Sequence, residues 1–567
     1  MKKQVVIINI TRMGDLVQTI PLLGRLTHEW PGVDIDLVTD RTFAAMAGLL
    51  PGIRHVFAYD FQGLINDSRA MGKDVVTLYR EMSSWAKRLA DAHYDRVINL
   101  TFNRRSGLLS AYLGAPDTRG VTAADDGASV LHNPWFNYFV DMHRYRQFNR
   151  FNLVDIYALG GSGPGPYAPL RLSVPDEAKG WAAQFLDVRN GLRPFIAVQV
   201  GASEAIKAWR PESFGRTMAA ISRLTSVTFV LIGTPAEAEA AHDAITAFRG
   251  AEGKATVIDA VGKTDLPKLA AVLAQCQLLL TNDTGPMHVA VGVGTRVIDL
   301  SVGHVDFNET GPYGQGHWVV QPDLGCAPCG FDQVCPHHAC KDRLVPHQIA
   351  ELCLHAVNAG PAPSTVSGVR LYESAIDEDG LVRYDLRAGH LDAASKWYGM
   401  FWRAYWYETF TQRITRTQIS GRAPDVDKQQ GVFQELTPIV NDLLTTAAEV
   451  DHLSRRRPIP VEKLQSSQAK LASLRQHALE IAMPSSAFGP LTVALLRQLR
   501  NGDAMELCAM AREQTQAYRT WAKRLRAVMS RLDASQDGAS DDRPRSLSKM
   551  IPLPTPYTGD NHADYVR

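Results

Sequence analysis

Apolar and polar positions follow two different rhythms along this chain. From residue 1 to about 159, short apolar runs at 5–10, 35–38, 55–59 and 96–100 alternate with helical patterns near 21–30 and 75–92. Alternation at this spacing predicts βα units and a parallel sheet. A stretch rich in Gly, Ser and Pro at 160–167 reads as an interdomain crossing. A second series follows, with strands expected at 195–200, 228–232, 256–258, 278–281 and 296–300. From about Val369 the alternation is expected to give way to helices. Trp397, Tyr398, Phe401, Trp402, Tyr405, Trp406 and Phe410 predict a helix apolar on more than one side, hence buried or at an interface. Leu436, Ile439, Leu443, Ala447, Val450 and Leu453, then Leu471, Leu474 and Ala478, recur at the three- and four-residue spacing of amphipathic helices in a bundle. The expected domains are 1–165 and 166–362, both Rossmann-like α/β, then 363–533, all-α, and a disordered tail over 534–567 rich in Ser, Asp and Pro.

At 567 residues the chain exceeds what one core can organise, which agrees with three units. A net charge of +1, with 21% charged and 45% apolar residues, gives no bulk attraction to nucleic acid, so any anion site must be local. The apolar run at 5–10 is too short for a signal peptide, and no stretch approaches the roughly 18 apolar residues that cross a bilayer. The expected location is cytoplasmic, with peripheral contact at the inner membrane left open. Four of seven cysteines, Cys326, Cys329, Cys335 and Cys340, fall close together. In a reducing compartment four clustered thiols point to a metal more than to disulfides, a structural zinc or iron being the candidate; free thiols or disulfides formed on oxidation are the alternatives.

Candidate chemistry gathers at strand ends. Thr11-Arg12-Met13-Gly14-Asp15 lies at the carboxyl end of the first strand, where open α/β sheets place their ligand crevice; Asp15 is either an acid poised for chemistry or only the cap of the next helix. Gly201-Ala202-Ser203 precedes Lys207 and Trp209, and Gly233-Thr234 precedes Glu237. Lys207 could pair a phosphate or be a solvated lysine; Glu237 could accept from ribose hydroxyls. Asp283-Thr284-Gly285 begins a helix carrying Met287 and His288, which reads either as an anion-holding turn or as an ordinary capped one. A Gly-x-Gly-x-x-Gly after the first strand and a P-loop are both missing, which argues against a dehydrogenase and a P-loop NTPase.

These blocks, with Pro21, Ala208, Gly262-Lys263-Thr264 and Asn282-to-His288 in the same order, resemble the lipopolysaccharide heptosyltransferases of glycosyltransferase family 9 over roughly residues 1–357. The resemblance implies a GT-B fold, two Rossmann-like domains with the acceptor on the first and a nucleotide-diphosphate sugar on the second. It implies Asp15 as general base, Thr11 and Arg12 on the acceptor side, and Gly201, Ser203, Lys207, Glu237, Asp283, Thr284, Gly285, Met287 and His288 at the donor. Base and leaving diphosphate on opposite faces of the sugar imply inversion, without a catalytic metal. ADP-heptose is the favoured donor and a lipopolysaccharide core or other surface glycan the acceptor. A protein acceptor, as in autotransporter heptosyltransferases, and an inactive GT-B scaffold are the other readings. Ala208 departs from the family, in which a basic residue is common there. Some related autotransporter transferases carry a cysteine-bound iron, which bears on the cysteine cluster. The helical unit is expected to select an acceptor or partner; oligomeric state stays open.

Overall fold

The computed structural model describes residues 2–61, 74–124, 127–188, 194–331, 334–363, 366–417, 419, 421–500 and 506–534. The tail expected to be disordered therefore lies, beyond Ala534, outside the described residues. Two compact units are present: residues 1–102, 109–120 and 151–390 in the first, and residues 103–108, 121–150 and 391 onward in the second.

The first unit holds two sheets. In one, β1 (Gln4–Ile8), β2 (Asp34–Asp40), β3 (Ile53–Tyr59), β4 (Arg96–Asn99) and β5 (Asp117–Ala123) lie in the order β3-β2-β1-β4-β5, all parallel. Val5 to Ile8 are fully buried, because helices cover both faces of a parallel sheet and leave no solvated side for polar alternation. The second sheet runs β14-β13-β12-β11-β10-β7-β8-β9. Its parallel strands are β7 (Phe195–Gln199), β8 (Thr228–Ile232), β9 (Thr256–Asp259), β10 (Leu278–Asn282), β11 (Arg296–Leu300) and β12 (Trp318–Pro322). The order reverses direction beside β7 and β10, which creates a crevice at their carboxyl ends. Ile196, Val198, Trp209, Phe214, Phe229, Leu278, Leu280, Ile298 and Leu300 belong to its main apolar core. With a second Rossmann-like sheet in the same unit, the α/β part has the GT-B composition expected.

One expectation is corrected here. The segment from Val369 is not yet helical: β13 (Val369–Ile376) and β14 (Val382–Ala388) form an antiparallel hairpin that extends the second sheet through β12, and the helices begin at Ala393. The hairpin is held at its turn by Asp377, whose carboxylate accepts from the backbone N–H of Asp379 and Leu381 at 3.0 and 2.9 Å. Asp155, on the crossing helix Leu153–Gly161, accepts from Val382 N–H and Tyr313 O–H at 3.0 Å each and ties the hairpin down.

The second unit is built from long helices, Ala393–Thr411, Val426–Ser454, Val461–Ala482, Gly489–Arg500 and Leu507–Ala534, with the helix Pro134–Arg144 and β6 (Ser129–His132). Trp397, Tyr398, Phe401, Trp402, Tyr405 and Trp406 are all buried, as their spacing required. Trp135 and Tyr138 pack edge-on against Phe410, at 5.1 and 6.1 Å between ring centroids. No helix among the described residues is long and apolar enough to cross a membrane.

Candidate active site

The site grows from two strand-to-helix turns, one in each sheet. After β1 the chain turns into the helix Met13–Gln18, with Arg12 at its N-cap position. Asp15 is the third residue of that helix rather than its cap, so the capping role weighed for it is not the one it has. Its carboxylate accepts from Thr11 O–H at 2.5 Å, a charge-assisted distance. Thr11 Oγ1 also lies 3.0 Å from Asn9 Oδ1, but it has one proton, and the shorter contact takes it. Buried Asn9 in turn donates to Asp15 C=O and Thr19 Oγ1 at 3.0 Å each, which holds the turn to the sheet. Burial pushes the Asp15 carboxyl above its ordinary value; the Thr11 hydrogen bond and the charges of Arg12 and His288 pull the other way.

After β10 the helix Gly285–Gly292 starts, with Thr284 at its N-cap position and no side-chain cap bond. Thr281 O–H donates to Asn282 C=O at 2.6 Å, and Thr284 Oγ1 stands 3.2 Å from Thr281 Oγ1. Asp283 accepts from Thr310 O–H at 2.5 Å. Neither Asp283 nor Thr284 therefore acts as the side-chain cap; Pro286 has no N–H and Met287 N–H donates to Thr284 C=O at 3.0 Å, so among the first three helical positions Gly285 carries the N–H left for a ligand. His288 is 4% exposed, and its Nδ1 has no hydrogen-bond partner among the described residues. Burial lowers its pKa, against the charges of Asp283 and Asp15, which favours neutral imidazole near pH 7.

The two turns meet. A Cβ built on Gly14 would stand 2.9 Å from His288 Cδ2, and one built on Gly285 would run into the Met13 side chain. At Gly14 the missing side chain lets the turns approach this closely, whereas at Gly285 the atom in the way is the flexible end of Met13. Thr11, Arg12 and Asp15 of the first sheet are thereby brought beside Asp283, Gly285 and His288 of the second.

The remaining candidates line the ends of β7 and β8. Lys207, in the short turn Ala205–Lys207, is 9% exposed and its ammonium lies 3.9 Å from Glu204, so it is not a solvated lysine. Glu237 accepts from Gln199 Nε2 at 2.9 Å and from Thr234 N–H and O–H at 2.6 and 3.0 Å, so much of its accepting capacity serves the turn itself. Ser203 is exposed, Met287 fully buried. Asn282, an organiser of the site that residue-type reasoning left aside, donates to the carbonyls of Val200 and Gly201 at 2.9 and 3.1 Å and accepts from Trp209 N–H at 2.9 Å. It binds the β7 turn, the Lys207 segment and the β10 turn into one piece.

Cys326, Cys329, Cys335 and Cys340 are all free thiols. Burial, then the other three cysteines, push the Cys329 thiol up, so the four share a neighbourhood. Their chemistry fits zinc or iron, whereas among the described residues no three His, Cys, Asp or Glu side chains are gathered as a ligand set.

Residues 82–339 match the family model of glycosyltransferase family 9 (heptosyltransferase). The chain is similar to lipopolysaccharide heptosyltransferase 3 of Escherichia coli, 24% identical over 290 residues that cover 51% of this chain and 79% of that protein. Lipopolysaccharide heptosyltransferase 1 of Pseudomonas aeruginosa is 25% identical over 338 residues, 58% of this chain and 86% of that protein. Among solved structures, the E. coli ADP-heptose lipopolysaccharide heptosyltransferase II aligns with a TM-score of 0.47 and 17% identity, over 63% of this chain and 99% of that one.

Proposed function

The chain is a glycosyltransferase whose α/β part resembles family 9, and from that premise we propose that it moves a heptose from ADP-heptose to a bacterial surface glycan, with inversion. The observation that carries this reading is the approach of the two turns at Gly14 and His288, which sets a carboxyl of raised pKa beside an anion-type turn. Glycosyl transfer needs a base for the acceptor hydroxyl and stabilisation of a leaving diphosphate.

In this reading Asp15 takes the acceptor proton and faces the oxocarbenium-like centre, while Thr11 and Arg12 border the acceptor. Lys207 and the Gly285 N–H at the positive end of the helix meet the diphosphate as it gathers charge. Asp283, Thr284 and His288 hold phosphate and sugar. Gly201, Ser203 and Glu237 border the nucleoside, and Met287 packs beneath the turn. No step needs a metal. Base and leaving group on opposite sides of the sugar lead to inversion.

A donor screen tests this: ADP-, GDP- and UDP-sugars with purified protein, beside Lys207→Ala and Asp15→Ala. ADP-heptose should bind, Lys207→Ala should weaken it, and Asp15→Ala should bind but not transfer. Absence of any nucleotide-sugar binding at millimolar concentration would leave the inactive-scaffold reading. Acceptor assays with lipopolysaccharide core and with unmodified autotransporter protein separate glycan from protein glycosylation.

The four cysteines have the chemistry to hold a structural zinc or iron ion, which would cross-link the segment that carries them. Elemental analysis of wild type against Cys329→Ser checks it; equal metal content in both removes the idea.

A further inference from the structure

The short helix Phe307–Thr310, between β11 and β12, has no part in the chemistry proposed above, yet its last residue reaches the donor turn. Thr310 Oγ1 donates its one proton to Asp283 Oδ2 at 2.5 Å. At that distance the bond is charge-assisted, and it fixes how the Asp283 side chain is turned. The other carboxyl oxygen, Oδ1, has no hydrogen-bond partner among the described residues and is left to accept from a ligand.

Thr310 is itself held from both ends of its helix. At the start, Asp306 accepts from Asn308 N–H at 3.0 Å, and its C=O accepts from Thr310 N–H at 3.1 Å. At the end, two side chains from distant parts of the chain converge on the two residues after Thr310. Asn152, which caps the crossing helix by accepting from Val154 N–H at 3.0 Å, donates from Nδ2 to Gly311 C=O at 3.1 Å and to Tyr384 Oη at 3.0 Å. Tyr384, from β14, donates its proton to Pro312 C=O at 3.3 Å and packs its ring edge-on against Phe307, 5.1 Å between centroids. A Cβ built on Gly311 would stand 2.5 Å from Phe307 C=O and 2.7 Å from Tyr384 Oη, so no larger residue fits between the helix end and that hydroxyl.

We propose that Thr310 is a positioning residue for the donor sugar: its hydroxyl locks the Asp283 carboxylate before the donor arrives, with Oδ1 left to accept from a sugar hydroxyl, and Tyr384 and Asn152 keep Thr310 in place. The inference deepens the proposed function and rests on its reading that Asp283 contacts the donor sugar. Thr310 meets the donor only through Asp283. A side chain ordered beforehand does not lose its freedom on binding, and that saving appears as affinity. The hairpin β13–β14 is then a support of the donor site through Tyr384, and not only an extension of the sheet edge. Because the locked oxygen serves the sugar, the device acts on ADP-heptose and not on ADP.

Calorimetric titration of the full chain with ADP-heptose and with ADP tests this. Thr310→Val keeps the branched shape without the proton; it should weaken ADP-heptose about fivefold, the cost of immobilising one side chain at binding, and leave ADP unchanged. Thr310→Ser should restore wild-type affinity. Tyr384→Phe keeps the ring against Phe307 and loses the hydroxyl, and should weaken ADP-heptose about twofold, again without effect on ADP. Asp283→Ala should weaken ADP-heptose, and adding Thr310→Val to it should change nothing further, because the two act as one unit. Unchanged ADP-heptose affinity in Thr310→Val, an equal loss of ADP and ADP-heptose, no recovery in Thr310→Ser, or additivity with Asp283→Ala overturns the proposal, and wild-type affinities in Tyr384→Phe overturn the role given to the hairpin. Wild-type ADP-heptose affinity in Asp283→Ala removes the reading of the donor turn and this inference with it, whereas a loss there without one in Thr310→Val strikes this inference alone.

Discussion

The His288 ring occupies the space that a side chain on Gly14 would need, with Cδ2 2.9 Å from the position of the absent Cβ. His288 is buried and cannot swing aside, so the contact sets how closely the turns after β1 and β10 can approach.

Gly14→Ala should therefore displace the two turns by a few tenths of an ångström or more. Overpacking of this kind costs about 1–3 kcal/mol, and we expect a corresponding drop in thermal stability. Misplacement of Asp15 against the donor turn should lower kcat about 10- to 100-fold while nucleotide binding changes little. Unfolding curves, transfer kinetics and ADP titration of the variant check the three effects separately.

The pH dependence of transfer should carry the mark of Asp15. Burial raises its pKa above the usual 3.8, so the carboxylate needed as base forms at higher pH than for a free aspartate. The acid limb of kcat/KM should accordingly lie above that value and fall as pH drops through the raised pKa. For stability the sign is opposite: folding favours the neutral acid, and the Asp15 contribution is lost as pH rises through the folded pKa. Asp15→Asn should abolish the limb and reduce kcat by about 10²- to 10⁴-fold, measured over a pH series.

Asn282 makes three hydrogen bonds from a buried side chain, to Val200, Gly201 and Trp209. Asn282→Ala leaves those backbone groups without it, and a loss of about 2–4 kcal/mol is expected in urea unfolding. Because the Lys207 segment hangs from the same side chain, ADP affinity should fall as well, whereas an exposed substitution such as Lys179→Ala should leave it alone.

In the helical unit Arg497 and Asp141 form an ion pair at 3.0 Å, with side chains 11% and 12% exposed, and Arg497 also donates to Asn137 C=O at 3.2 Å. Asp141→Ala removes the counter-charge from a largely buried guanidinium and should destabilise the protein by about 3–5 kcal/mol. Melting temperature and urea midpoint measure it, and activity of the remaining folded protein should be unchanged.

Much of the α/β part was legible from local pattern, because a strand buried on both faces must be a short apolar run and a turn at its end needs small or capping residues. The runs at β1, β7, β8, β10 and β11 and the segments holding Asp15, Lys207 and Asp283 could be read for that reason, as could the aromatic helix Ala393–Thr411. The hairpin β13–β14 departs from the helical expectation although its sequence alternates and its turn carries Asp377 and Gly380, because its pairing with β12 joins segments about fifty residues apart and leaves no local mark. Sequence position determined which residues end a strand; it could not determine which ends face one another. The meeting of Gly14 with His288, the burial of Lys207 and the knot at Asn282 join positions far apart in the chain, and they exist only once two sheets share a crevice. Burial and cross-strand register, which set the pKa of an acid and the partners left to it, are properties of that packing and not of any local stretch.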